Sequence, residues 1–145
     1  MRAGLAGMLA MLLLASCAAT GGEGGGGAPR AAAVPARALA GTRWTGIVEG
    51  KPDPRTLPRL EFTDSRIAGY TGCNMLSGAW RQENGEVRVG PLATTKRYCV
   101  GPESEVEKRF LQAVNPESRV TREGARLIFT TPSGARFEFE EAAAT

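Results

Sequence analysis

At 145 residues with 42% hydrophobic content the chain has room for one core, and its Gly- and Ala-rich opening reduces the foldable part to about 100 residues. Lys+Arg 18 against Asp+Glu 15 gives a formal charge of +3, with the bases scattered among the acids, so nucleic-acid binding gains no support. Histidine is absent, which excludes His-based triads, imidazole general bases and His-ligated zinc.

In chain order, Arg2 supplies a minimal positive start and Leu5 to Leu14 an apolar stretch about ten residues long. That length is too short for a helix to cross a bilayer core of roughly 30 Å, so residues 1–16 read as a signal peptide. Leu14-Ala15-Ser16-Cys17 resembles the bacterial lipobox: an aliphatic residue, two small residues for a narrow peptidase site, and a thiol that accepts diacylglycerol. Cleavage before Cys17 and its lipidation are therefore expected, with several acyl chains giving stable membrane attachment. The alternative is an ordinary signal peptide cut near Ala18-Ala19, which would remove Cys17. Residues 17–40 consist largely of Ala, Gly and Pro without a periodic apolar face, the composition of a flexible tether after the lipidated cysteine. No Asp follows Cys17, so under the enteric sorting rule the expected address is the outer membrane, facing the periplasm.

With Cys17 assigned to lipid, Cys73 and Cys99 remain as a pair in an oxidising compartment. A structural disulfide is the simplest use of them; two buried free thiols, or thiol chemistry of a redox sensor, are the alternatives. No CxxC spacing and no further soft ligands accompany them, so no metal is expected.

The domain is expected over 41–140, with 141–145 a disordered tail. Thr42 to Val48 reads as a first strand with Trp44 and Ile47 toward the core, followed by a Pro-rich loop. Arg59 to Phe62 and Arg66 to Tyr70 flank Thr63-Asp64-Ser65 as a hairpin. Leu76 to Gln82 and Glu86 to Val89 flank Asn84-Gly85, the pair that best tolerates a type I′ turn. Gly101-Pro102-Glu103-Ser104-Glu105 opens one helix whose Val106, Phe110, Ala113 and Val114 share a face, and Asn115-Pro116 ends it. Arg119 to Arg122, Arg126 to Thr131 and Ala135 to Glu140 complete about eight strands. The expected fold is mainly β (α+β): a small antiparallel, half-open β-barrel with the helix against its open side.

The folded region resembles the META domain family, the small domain of HslJ-type bacterial lipoproteins. The resemblance lies in Gly41-Thr42-Arg43-Trp44, Leu60-Glu61-Phe62, Ile67 to Asn74, Ser77-Gly78, Gly90 to Thr95 up to Cys99, and Glu107 with Phe110-Leu111. It implies an envelope location, a β-rich fold with one helix, and links to stress response in some members, with no established reaction. Arg97 and Tyr98 stand where relatives commonly carry an apolar and a small residue.

The glycines of the Gly-x-x-Gly-Cys-Asn segment read as shaping the backbone; a binding surface of Asn74, Thr95 and Lys96 is the functional alternative. The leading expectation is a non-catalytic lipoprotein, without cofactor, that contacts an envelope protein or holds a small apolar ligand in an incompletely closed barrel. The enzyme alternative is a carboxylate site built from residues such as Glu61 and Asp64, or a hydrolase using Ser77, none of which spacing pairs.

Overall fold

The computed structural model describes residues 39–50, 52–83 and 86–143. The expected signal peptide, Cys17 and most of the tether lie outside the described residues. Eight antiparallel strands follow one another around a ring: β1 Arg43–Gly46, β2 Arg59–Phe62, β3 Arg66–Tyr70, β4 Met75–Glu83, β5 Glu86–Thr94, β6 Arg119–Glu123, β7 Arg126–Thr130 and β8 Arg136–Glu141. Among the described residues a single helix, α1 Pro102–Ala113, interrupts the meander between β5 and β6. The half-open barrel expected from sequence is a closed one, because β1 pairs with β8 from Trp44↔Glu141 to Gly46↔Phe139. The thinnest seam is β5–β6, with the single register pair Val87↔Val120.

Alternation builds the wall. In β2 and β8 every second residue points inward, placing Leu60, Phe62, Phe137 and Phe139 in the interior. The same period corrects the expectation for β1: Trp44 is buried, but Ile47 lies beyond the strand end and is exposed, and the second inward position belongs to Gly46. Gly46 leaves just enough room for the Phe137 ring and Pro58. Leu39, expected in the tether, is fully buried in the core, and Glu141, expected in the tail, is the last residue of β8.

The β2–β3 turn closes as its residues dictate: Thr63 N–H donates to the Arg66 carbonyl at 2.9 Å, and the Thr63 hydroxyl accepts from Arg66 N–H at 3.2 Å. Register in the β4–β5 hairpin runs to Glu83↔Glu86, as a two-residue connection requires; Asn84-Gly85 itself lies outside the described residues. β5 continues through Gly90-Pro91 to Thr94, five residues past the expected end, with a bulge at Gly90-Pro91, where two residues of β5 stand opposite Ala79 of β4.

Pro102 occupies the first turn of α1 and Glu103 and Glu105 face its positive end. At the other end the Ser118 hydroxyl donates to the Ala113 carbonyl, and Asn115 Nδ2 donates to the Gln112 carbonyl at 2.9 Å. The buried face of the helix inserts Phe110 edge-on against Phe137 and Phe139, with ring centroids 5.5 and 5.8 Å away. Aromatic side chains thus fill the space inside the ring, where Phe129 meets Phe139 and Phe62 meets Trp80.

Candidate functional site

The connection from β3 to β4, Thr71-Gly72-Cys73-Asn74, is the point where the chain turns polar inside a buried setting. Thr71 shapes the turn: its hydroxyl accepts from the Asn74 and Cys73 N–H groups at 2.8 and 3.3 Å, while its own N–H donates to the Asn74 carbonyl at 2.8 Å. Gly72 sits at φ +106°, and a Cβ there would press to 3.2 Å from the Val106 side chain of α1. The loop can therefore lie directly against the helix.

Asn74, 5% exposed, is the hub. Its Oδ1 accepts from Arg97 N–H at 2.7 Å and from the Thr95 hydroxyl at 2.8 Å. Its Nδ2 donates to the Arg97 carbonyl at 3.2 Å and to Glu107 Oε1 at 3.0 Å. One side-chain amide thus pairs with both backbone groups of Arg97, as a neighbouring strand would, and holds residues 95–99 against the barrel mouth. Glu107 also accepts from the Thr71 hydroxyl at 2.5 Å, which ties α1 to the same turn. A Cys73–Cys99 disulfide, Cα atoms 6.2 Å apart, closes the arrangement. We refer to residues 95–100 as the strap and to Thr71, Asn74, Thr95 and Glu107 as the polar knot.

Of the three residues expected to form a binding surface, Asn74 and Thr95 meet inside the knot with their polar atoms engaged, and Lys96 is exposed beside them on the strap. The arrangement is complete in itself: among the described residues no buried side-chain nitrogen or oxygen lacks a partner. Chemically it positions a strap and an oxidised cysteine pair, of which Cys73 is buried and Cys99 half-buried. Glu107, 33 residues from Asn74, is the knot residue that spacing alone could not supply. Its only signal was the family resemblance.

Glu61, Asp64 and Ser77 are not brought together. Glu61 and Ser77 are both registered with Ala68 from opposite sides, two strands or about 10 Å apart, and Glu61 pairs with Arg43 at 3.5 Å. Asp64 is exposed in the β2–β3 turn. Among the described residues no group of three or more His, Cys, Asp or Glu could hold a metal ion.

A second concavity lies outside the ring, between the loop after β1 and the first turns of α1. Its volume is about 490 Å³; Val48, Leu57 and Val106 form apolar parts of its lining, and Glu49, Asp53 and Glu105 are among its polar groups. It has the dimensions of a small-molecule site.

A family model described as the META domain matches residues 37–144, which takes in the barrel, the helix and the whole knot. The chain belongs to the META domain family. Two solved structures share the META fold seen here. An NMR structure of a protein from Burkholderia xenovorans is 18% identical, with a TM-score of 0.59 over 75% of this chain and 87% of that one. A second NMR structure is 24% identical, with a TM-score of 0.60 over 74% of this chain and 94% of that one. No curated protein matches the sequence significantly. At these identities the likeness concerns the META fold alone.

Proposed function

We propose that this chain is a membrane-anchored cell-envelope lipoprotein whose META domain is a non-catalytic binding module linked to envelope stress. Lipid on Cys17 would hold it at the outer membrane, facing the periplasm, by the lipobox Leu14-Ala15-Ser16-Cys17. The observation that carries the binding reading is the contrast between two polar places. In the knot every hydroxyl, amide and carboxylate is engaged internally, whereas the groove beside α1 combines apolar walls with Glu49, Glu103, Glu105 and Arg109, which form no ion pair among the described residues, and with Asp53, whose Oδ1 accepts from Arg55 N–H at 2.9 Å. A small ligand with an apolar part, or a side chain of an envelope protein, fits that groove; the barrel interior is occupied by the aromatic and aliphatic core.

The disulfide supports a structural rather than a sensing role, because Cys73 is 2% exposed and its neighbours are the knot and the strap. Native mass spectrometry of the protein extracted from membranes of its host tests the reading. The expected result is a start at Cys17 with added lipid mass and two thiols that appear only after reduction. A retained small-molecule mass should be lost when Val106→Glu fills the groove. An unmodified N-terminus overturns the anchor, and retention unaffected by Val106→Glu overturns the groove.

A further inference from the structure

Both tyrosines of the chain stand at one place on the outer wall, beside the strap. Arg59, Tyr70 and Met75 are registered across β2, β3 and β4, so their side chains share the outer face. The Arg59 guanidinium lies 5.5 Å from the Tyr70 ring centroid, and Arg97 Nη2 donates to the Tyr70 hydroxyl at 3.5 Å. Met75 is joined to the strap by two hydrogen bonds with Thr95. On the strap itself Tyr98 is 88% exposed and Val100 67%, next to Met75 at 57%. These are three of the five large apolar side chains exposed among the described residues.

The charge on this surface has one sign. Arg59, Lys96 and Arg97 belong to it, and no acid occurs within 70–75 or 94–102. Of the acids close by, Glu61 is paired with Arg43, Glu107 is turned into the knot, and Glu103 and Glu105 line the groove, the Glu103 carboxylate lying near Gly101 at the end of the strap. The disulfide and the Asn74–Arg97 bonds fix the strap, so Tyr98 and Val100 are held outward rather than folded onto the barrel.

We propose that this surface docks on a bilayer carrying anionic headgroups. Tyr98, Val100 and Met75 enter the interfacial layer, and Arg59, Lys96 and Arg97 meet the phosphates. Tyrosine flanked by Lys and Arg is the composition of a membrane–water interface, where the ring is buried, the hydroxyl stays wet and the long cationic stems extend to the headgroups. The proposal rests on the reading that Cys17 is lipidated, and the chain between Cys17 and Leu39 permits it. About 22 residues reach at most roughly 75 Å, against roughly 30 Å for the nine-residue strands of the barrel.

The test uses the full lipidated protein in phosphatidylcholine vesicles with and without phosphatidylglycerol, and in detergent. Tyrosine nitration and methionine oxidation are read residue by residue by mass spectrometry. Tyr98 and Met75 should react several-fold more slowly on the anionic vesicles than in the other two surroundings. High salt should remove the protection, as should Lys96→Gln with Arg97→Gln, which leave the Arg97 backbone bonds in place. Equal reactivity in all three surroundings, or equal protection on the neutral vesicles, would overturn the docking. The N-terminal mass is measured in the same sample, so an unlipidated Cys17 is recognised separately, and the footprint on added vesicles still reads the surface.

Discussion

The barrel interior and the polar knot hold the same fold by opposite means. Inside the ring, Phe62, Phe110, Phe129, Phe137 and Phe139 contribute area, a non-directional quantity that a side chain of similar size supplies nearly as well. In the knot a few atoms contribute direction: Asn74 must present an acceptor to Arg97 N–H and a donor to Glu107 at once, and no other side chain of its size does both. The interior should therefore respond to lost volume and the knot to changed hydrogen-bonding pattern.

Phe139→Ala removes the ring that Phe110, Phe129 and Phe137 share, and should cost about 3 to 5 kcal/mol in urea denaturation. Phe139→Leu should retain most of that stability; an equal loss in both would contradict a volume-governed interior. Removal of the Cys73–Cys99 bond as a double alanine variant should cost about 3 to 4 kcal/mol, since the bond closes a loop with sequence separation 26. Asn74→Asp keeps the shape but sets a second carboxylate against Glu107. A loss of about 2 to 3 kcal/mol at neutral pH is expected, shrinking as the solution is acidified because a shared proton replaces the amide hydrogen. If the variant is as stable as the parent at neutral pH, the knot is not directional. At the small end, Arg136→Gln on the outer wall breaks an exposed pair with Glu138 and should change stability by less than about 0.5 kcal/mol.

Legibility in the sequence follows the same division. Strands whose period-two pattern ends at a turn were readable to the residue, as β2 and β3 show. Ile47 was misplaced because β1 ends at Gly46, and a glycine in an inward position gives no apolar signal. The continuation of β5 past Val89 is hidden because Gly90-Pro91 reads as a strand end, whereas here the pair forms a bulge opposite Ala79 that lets a proline remain in the sheet. Leu39 was hidden by an Ala-rich neighbourhood, and the closed ring by the fact that β1–β8 pairing joins the two ends of the domain. At the candidate site the disulfide was foreseen among alternatives and Asn74 with Thr95 as a group. The bonding of Asn74 follows the structural reading of this segment, but its partners Glu107 and Arg97 are not legible locally, because those contacts span more than twenty residues.

The β5–β6 seam has a consequence for how the ring opens and for what it must avoid. With one register pair there against five between β6 and β7, amides along the free edge of β5 should exchange hydrogen long before those of β7. The same edge is where a foreign strand could attach, so opening of this seam is also the step that exposes the protein to sheet-to-sheet pairing.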